Sequence, residues 1–348
     1  MRRVRVVARM LPCIRALRGR PFSPEIEERL ARALDEEKIE LIIEPDAEKR
    51  MAAMEEADFF LCENDPLPED FYERAKKLKL IQAGGYFFEK LRIERATRAG
   101  VPVMTFPMPI TDSVADHVIM MLLALARNFE ETTRAAREGS DNPPSPRRPD
   151  GSAFNWTQTQ GIAPLRGMRL GVLGMGDIGR GVALRARAFG MEILYWNRTP
   201  LPESVDEALG ARPVEREELF ENAEALLIGV SLNEETRGMV GEEEIRALPR
   251  GAYLLNIGRG PLIDQEAMHR ALSDGHLGGA GLDVFDPEPF PPEHPLLRLP
   301  NVIPTPHCAG GDDENIIQEI EIYFENIHRA LSGDAPLGVV NDAPWRGL

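Results

Sequence analysis

A short apolar run at 170–173 leads without interruption into Gly174-Met175-Gly176-Asp177-Ile178-Gly179. Residues 180–189 continue with helical periodicity before a new apolar segment at 192–196. Few patterns restrict a chain more, because a strand that turns tightly into a helix and returns as a parallel neighbour opens a doubly wound sheet. Gly174 permits the tight turn, Gly176 lets the backbone approach a pyrophosphate, and Gly179 lets the helix pack close to the strand. The amides and dipole at the start of that helix attract phosphates. Met175, Asp177 and Ile178 complete the loop, so residues 174–179 are read as a dinucleotide-binding turn.

The second strand ends in Trp196-Asn197-Arg198-Thr199. A carboxylate at this place bonds the ribose 2′-hydroxyl, whereas a 2′-phosphate needs a cation. Asn197 carries no charge to repel a phosphate, and Arg198 and Thr199 are placed to grip one. NADP(H) is therefore the expected coenzyme, with NAD(H) second; the competing reading leaves Arg198 as a solvated loop residue.

The same alternation of strand and helix runs through most of the chain. Strand-length runs at 3–8, 40–44, 58–62, 78–82 and 101–105 are interleaved with helical patterns within 24–35 and near 69–76. Further runs follow at 225–230, 252–256, 279–284 and 301–304, and a last helix is expected at 312–331. Alternation of this kind builds parallel sheets covered by helices. The longest helical pattern is 112–137, with Asp112 or Ser113 as its cap, and its apolar face suits it to bridge domains or line a subunit interface. Residues 139–164 lose all periodicity among prolines and form a loop.

A chain of 348 residues with 43% hydrophobic content suffices for two α/β domains. With 41 Lys and Arg against 57 Asp and Glu, the net charge of -16 opposes general binding to nucleic acid or an anionic membrane surface. The longest apolar run, 118–126, is far below the roughly 20 residues of a membrane helix. Cys13, Cys62 and Cys308 have no metal-ligand spacing, so no metal is expected, and they read as reduced thiols of a cytoplasmic protein. The arginines before Glu25 imitate a transit peptide, but Val4, Val6 and Val7 read as a first strand.

Three loops follow predicted strands: Asn256-Ile257-Gly258-Arg259-Gly260, then Asp283-Val284-Phe285-Asp286-Pro287-Glu288-Pro289, then Thr305-Pro306-His307-Cys308-Ala309-Gly310. Strand C-terminal ends line the ligand crevice of such a sheet, so an Arg, a Glu and a His can converge there. Hydride reduction of a carbonyl in an anionic substrate needs a proton donor at the carbonyl oxygen and a cation for the substrate. His307 suits the first role and Arg259 the second, while Glu288 would hold the other imidazole nitrogen. Taken singly, each has an ordinary reading as surface charge or packed loop. His117 is within reach of neighbouring loops; His269, His276, His294 and His328 are assigned no chemistry.

With these loops and the turn at 174–179, nearly the whole chain resembles the D-isomer-specific 2-hydroxyacid dehydrogenases, glyoxylate/hydroxypyruvate reductases among them. The runs 111–128 and 235–238 also fit. The resemblance implies two parallel-sheet domains, Rossmann-like and flavodoxin-like. A discontinuous substrate domain (1–107 and 306–348) would carry an inserted dinucleotide-binding domain (108–305). It further implies that Asp283 accepts the nicotinamide carboxamide, with Ile257 and Gly258 beside it and Val230 among the coenzyme contacts. Amides at 83–88, Gly85, Tyr86 and Phe87 among them, would meet the substrate carboxylate. The implied partners are a small 2-oxo or 2-hydroxy acid and a second copy of the chain.

The chain departs from the family pattern twice. Gly85-Tyr86-Phe87-Phe88-Glu89 stands where Gly-x-Gly-x-Asp is common, and Gly229-Val230-Ser231 stands where His-x-Pro is usual. Tyr86, Phe87, Phe88 and Trp156 either wall a pocket for an apolar side chain or fill a seam between domains. A formate dehydrogenase would lack the carboxylate beside the His, and a phosphorylated hydroxy acid stays open as substrate. A non-catalytic nucleotide sensor or scaffold would need the glycine-rich turn but not Arg259, Glu288 and His307 together.

Overall fold

The apolar runs assemble into two all-parallel sheets. A computed structural model describes residues 3–8, 23–35, 37–62, 66–85, 89–106, 109–142, 144–311 and 313–348. The chain divides into one unit of Met1–Ile110 with Gly311–Leu348 and a second of Thr111–Gly310.

The first unit holds β1 (Val4–Ala8), β2 (Ile39–Ile43), β3 (Phe59–Cys62), β4 (Leu80–Gly84) and β5 (Val103–Phe106) in the order β2-β1-β3-β4-β5. That order is flavodoxin-like. Every residue of β3 and β4 is buried, as expected of strands covered on both faces. The helix Asp313–Leu331 packs on Pro24–Leu34 within this unit, so the end of the chain returns to its beginning. Its Ile320, Phe324 and Ile327 meet Val4, Val6, Phe59 and Leu80 in one core.

The second unit holds β6 (Arg169–Leu173), β7 (Glu192–Trp196), β8 (Ala211–Pro213), β9 (Ala225–Ile228), β10 (Ala252–Asn256), β11 (Leu277–Leu282) and β12 (Val302–Pro304). Their order is β12-β11-β10-β9-β6-β7-β8. The direction of winding reverses between β6 and β9, and ligands of open α/β sheets bind beside such a switch point. The glycine-rich turn leaves β6 there.

One expectation is corrected. The helical pattern 112–137 is two helices, Thr111–Ala126 and Phe129–Glu138. Asn128 between them adopts a left-handed φ of 47°, its Nδ2 donates to the Gln160 carbonyl at 3.0 Å, and the Ala163 amide donates to the Ala126 carbonyl at 2.7 Å. The proline-rich loop thus satisfies the broken helix end. The first helix begins at Thr111, which puts Asp112 inside the first turn, and it packs on β10, β11 and β12 of its own unit. The units meet at 110/111 and 310/311, and the Cys308 and Ala309 amides, bonded to Asp283, lie within the second. Among the described residues no helix is long and apolar enough to cross a membrane.

Candidate active site

The glycines of the turn differ in what surrounds them. Gly174 has φ +100°, and a β-carbon there would stand 2.8 Å from Val230 Cγ1 and 2.9 Å from the Gly229 carbonyl carbon. At Gly179 it would stand 2.8 Å from the Gly174 carbonyl oxygen. Gly176 is exposed and faces open space, with nothing within 4 Å of such a carbon. Two glycines therefore close the turn against protein, and the middle one leaves room for something else. No side chain caps the helix Asp177–Ala188 that follows. A bare glycine beside an uncapped helix N-terminus fits a pyrophosphate.

At the end of β7, Asn197 is tied inward: its Oδ1 accepts from the Met175 amide at 2.6 Å. Asn197 therefore braces the turn as well as ending the strand. Thr199 is exposed. The Arg198 side chain is 85% exposed, and its nearest partner is Glu235 at 3.7 Å.

The three loops after β10, β11 and β12 meet. His307 Nδ1 and Glu288 Oε2 are 2.7 Å apart, and Glu288 Oε1 accepts from the Phe285 amide at 2.9 Å. Partial burial pushes the Glu288 carboxyl up, but the His307 hydrogen bond, the Phe285 amide and the nearby His307 and Arg259 charges outweigh it and hold the group below its ordinary range. Nδ1 therefore faces an acceptor, and Nε2 is the ring's other end.

Gly260 joins the Arg259 loop to the Glu288 loop: a β-carbon there would lie 2.0 Å from the Phe285 carbonyl carbon and 2.6 Å from the Asp286 nitrogen. Asn256, 1% exposed, shapes the same loop, donating from Nδ2 to the Arg259 carbonyl and accepting from the Gly258 amide, each at 3.0 Å. Ile257 is buried and Gly258 half-buried beside it. Arg259 itself is exposed and donates to the Gly258 carbonyl at 2.6 Å.

Asp283 anchors the His307 loop. It is 2% exposed; Oδ1 accepts from the Thr305 hydroxyl at 2.6 Å and the Cys308 amide at 2.9 Å, and Oδ2 accepts from the Ala309 amide at 3.0 Å. His307 is left-handed at φ 54°. That conformation costs about 1–2 kcal/mol in a residue with a β-carbon. Hydrogen bonds to a carboxylate contribute about 1.5–3 kcal/mol each, so three of them outweigh the strain. Burial pushes the Cys308 thiol up, and the Asp283 charge adds to it.

Residues 119–309 match the model of the NAD-binding domain of the D-isomer-specific 2-hydroxyacid dehydrogenases. The glyoxylate reductase of Korarchaeum cryptofilum is 36% identical, over 80% of this chain and 80% of its own length. The chain belongs to this dehydrogenase family. Glyoxylate/hydroxypyruvate reductase B of Yersinia enterocolitica is 30% identical over 84% of the chain and 86% of that relative. The crystal structure of an NADPH-dependent glyoxylate/hydroxypyruvate reductase from Sinorhizobium meliloti, in complex with citrate, superposes with a TM-score of 0.70 at 28% identity, covering 99% of this chain and all of that one. Membership makes the chain a hydride-transferring oxidoreductase that uses a nicotinamide dinucleotide, and sets aside the non-catalytic sensor or scaffold.

The geometry thus brings together His307, Glu288 and the Arg259 loop with Asp283, Ile257 and Gly258. Gly85 lies in the other unit with φ +83° and its amide bonded to the Phe106 carbonyl at 2.9 Å. Tyr86, Phe87 and Phe88 lie outside the described residues, and Trp156 is 57% exposed in the second unit. Asn256, Gly260 and Thr305 were passed over in the sequence although they sit inside the quoted motifs. An Asn closing an apolar strand and a Gly wedged between Arg and Pro were the available signals. His276 and His328 bond backbone carbonyls of Ile245 and Ala33, and His294 Nδ1 accepts the Leu296 amide.

Proposed function

We propose that this dehydrogenase interconverts a small 2-oxo acid and its 2-hydroxy acid, with NADPH as the preferred coenzyme and NADH as the second. The observation that carries the reading is the His307–Glu288 pair at 2.7 Å, in a loop packed directly on the one bearing Arg259. When bound, the coenzyme supplies or takes the hydride. His307 delivers a proton to the carbonyl oxygen from Nε2 and recovers it in the reverse direction. Glu288 holds Nδ1 and orients the ring. Arg259 releases the Gly258 carbonyl to pair with the substrate carboxylate and polarise the carbonyl.

Around the coenzyme, residues 174–179 hold the pyrophosphate, and Asn197, Arg198 and Thr199 meet the adenosine ribose. Val230, Ile257 and Gly258 line the nicotinamide end, and Asp283 accepts its carboxamide through the lone pair its three donors leave on Oδ2. The unit of residues 1–110 and 311–348 acts as the substrate domain, with Gly85, Tyr86 and Phe87 as its substrate-binding run by family resemblance. Exposed Met120, Phe129, Phe154, Trp156 and Leu184 in the coenzyme unit support a homodimer formed there.

The test is oxidation of NADPH, followed by absorbance, across glyoxylate, hydroxypyruvate and phenylpyruvate, with His307→Ala as control. Turnover of at least one acid that disappears in the variant is expected. Turnover of none, or an equally active variant, overturns the reading. Phenylpyruvate ahead of glyoxylate would place the aromatic run 86–88 in the pocket wall.

A further inference from the structure

His117 is a half-buried side chain on the helix Thr111–Ala126, its side chain 14% exposed, and the proposed reaction has no use for it. Its Nε2 lies 2.9 Å from Thr305 Oγ1. A threonine hydroxyl has one proton, and this one goes to Asp283 Oδ1 at 2.6 Å. The His117 contact therefore uses a lone pair of Thr305, and His117 must be the donor, with hydrogen on Nε2. The bonds run in one direction, from His117 to Thr305 to Asp283. Asp283 in turn takes the amides of Cys308 and Ala309, so the chain ends on residues that adjoin the left-handed His307. On the other side of His307, its own amide returns to the Thr305 carbonyl at 3.0 Å.

We propose that His117 is a positioning residue of the proton-transfer site, a donor that fixes the Thr305 hydroxyl on Asp283 and thereby sets where His307 presents Nε2. The proposal rests on the reading of His307 as acid and base. Nothing else on the helix is needed, because Thr305 is held from both sides by a single donor and a single acceptor. Loss of the donor leaves the Thr305 hydroxyl free to rotate off Asp283, and the loop then loses one of the three bonds that offset its strain.

The experiment compares His117→Phe, which fills the space without a donor, His117→Gln, which keeps an N–H at similar reach, and Thr305→Val, which keeps shape without the hydroxyl. Steady-state kinetics are measured with NADPH and with NADPH deuterated at the transferred position, and hydrogen–deuterium exchange is followed at Cys308 and Ala309. His117→Phe and Thr305→Val are expected to lower kcat by about 10- to 100-fold, the range for a misplaced reacting group. The KM for NADPH should change far less, the isotope effect should rise, and both amides should exchange faster. His117→Gln should restore kcat and slow exchange.

Wild-type kcat and exchange in His117→Phe would overturn the proposal, and so would a His117→Gln as impaired as His117→Phe. If the wild-type protein turns over no 2-oxo acid, the functional reading fails by itself. The amide exchange still decides whether His117 holds the loop.

Discussion

The two ends of the nucleotide crevice in Thr111–Gly310 are built to different standards. At the adenosine end the group proposed to recognise a 2′-phosphate, Arg198, is 85% exposed and stands 3.7 Å from a Glu235 that is itself 81% exposed. At the end proposed for the reaction the groups are braced by neighbours. Glu288 is held by His307 and by the Phe285 amide, Asp283 by three donors, and the Arg259 loop by a glycine in direct contact with the Phe285 backbone. A catalytic proton must be placed to within a fraction of an ångström, which demands supported groups. Coenzyme choice requires only the right charge in the right neighbourhood. Substitutions at the two ends should therefore differ in kind as well as in size.

The largest effect is expected at the supported end. His307→Ala should lower kcat by about 10²–10⁴-fold, the usual worth of a general acid-base group, with little change in NADPH binding measured by fluorescence titration. Gly260→Ala should follow, at roughly 10²-fold, because its methyl group cannot coexist with Phe285 and must drive the Arg259 and Glu288 loops apart. The melting temperature should fall with it. Wild-type activity in this variant would mean that the two loops need not touch.

Glu288→Gln should cost roughly tenfold or more in kcat by weakening the orientation of His307. It should also change the acid response. The Glu288 carboxyl is held below its ordinary range in the fold. Its ionised form therefore stabilises the protein fully above the unfolded value, and that contribution is lost as pH falls through the lowered one. Gln cannot titrate, so the acid side of a Tm-against-pH curve should flatten. A curve unchanged in slope would uncouple the carboxyl from folding.

The smallest effect belongs to the exposed end. Arg198→Ala should raise the KM for NADPH by up to about fivefold and leave NADH nearly unaffected, since an exposed charge pair is worth about 1 kcal/mol or less. A 100-fold loss with NADPH would erase the contrast between the ends. No loss at all would return Arg198 to the solvent.

Much of this was legible in residue order, for a reason that is physical. Strand C-terminal ends define the crevice, so reading Asn256-Ile257-Gly258-Arg259, Asp283-Val284-Phe285 and Thr305-Pro306-His307 as loops after strands already brought their side chains together. The glycine-rich turn was equally visible, since Gly174 and Gly179 answer to local geometry. What was hidden depends on partners distant in the chain. The break at Asn128 hides in an apolar periodic run, because its cause lies at Gln160 and Ala163. The Asn197 bond to Met175 and the grip of Asp283 on Cys308 and Ala309 are likewise tertiary. The short helices Glu203–Leu209 and Arg216–Asn222 have too few turns to stand out by periodicity.

Gly260 carries a last implication. With a backbone carbonyl where its side chain would be, the loop that supplies the cation and the loop that supplies the carboxylate make up one part, divided in sequence but not in space. Anyone transplanting the Arg259 and Glu288 segments to another scaffold would have to carry both across together, in register, with that hydrogen still in place of a methyl group.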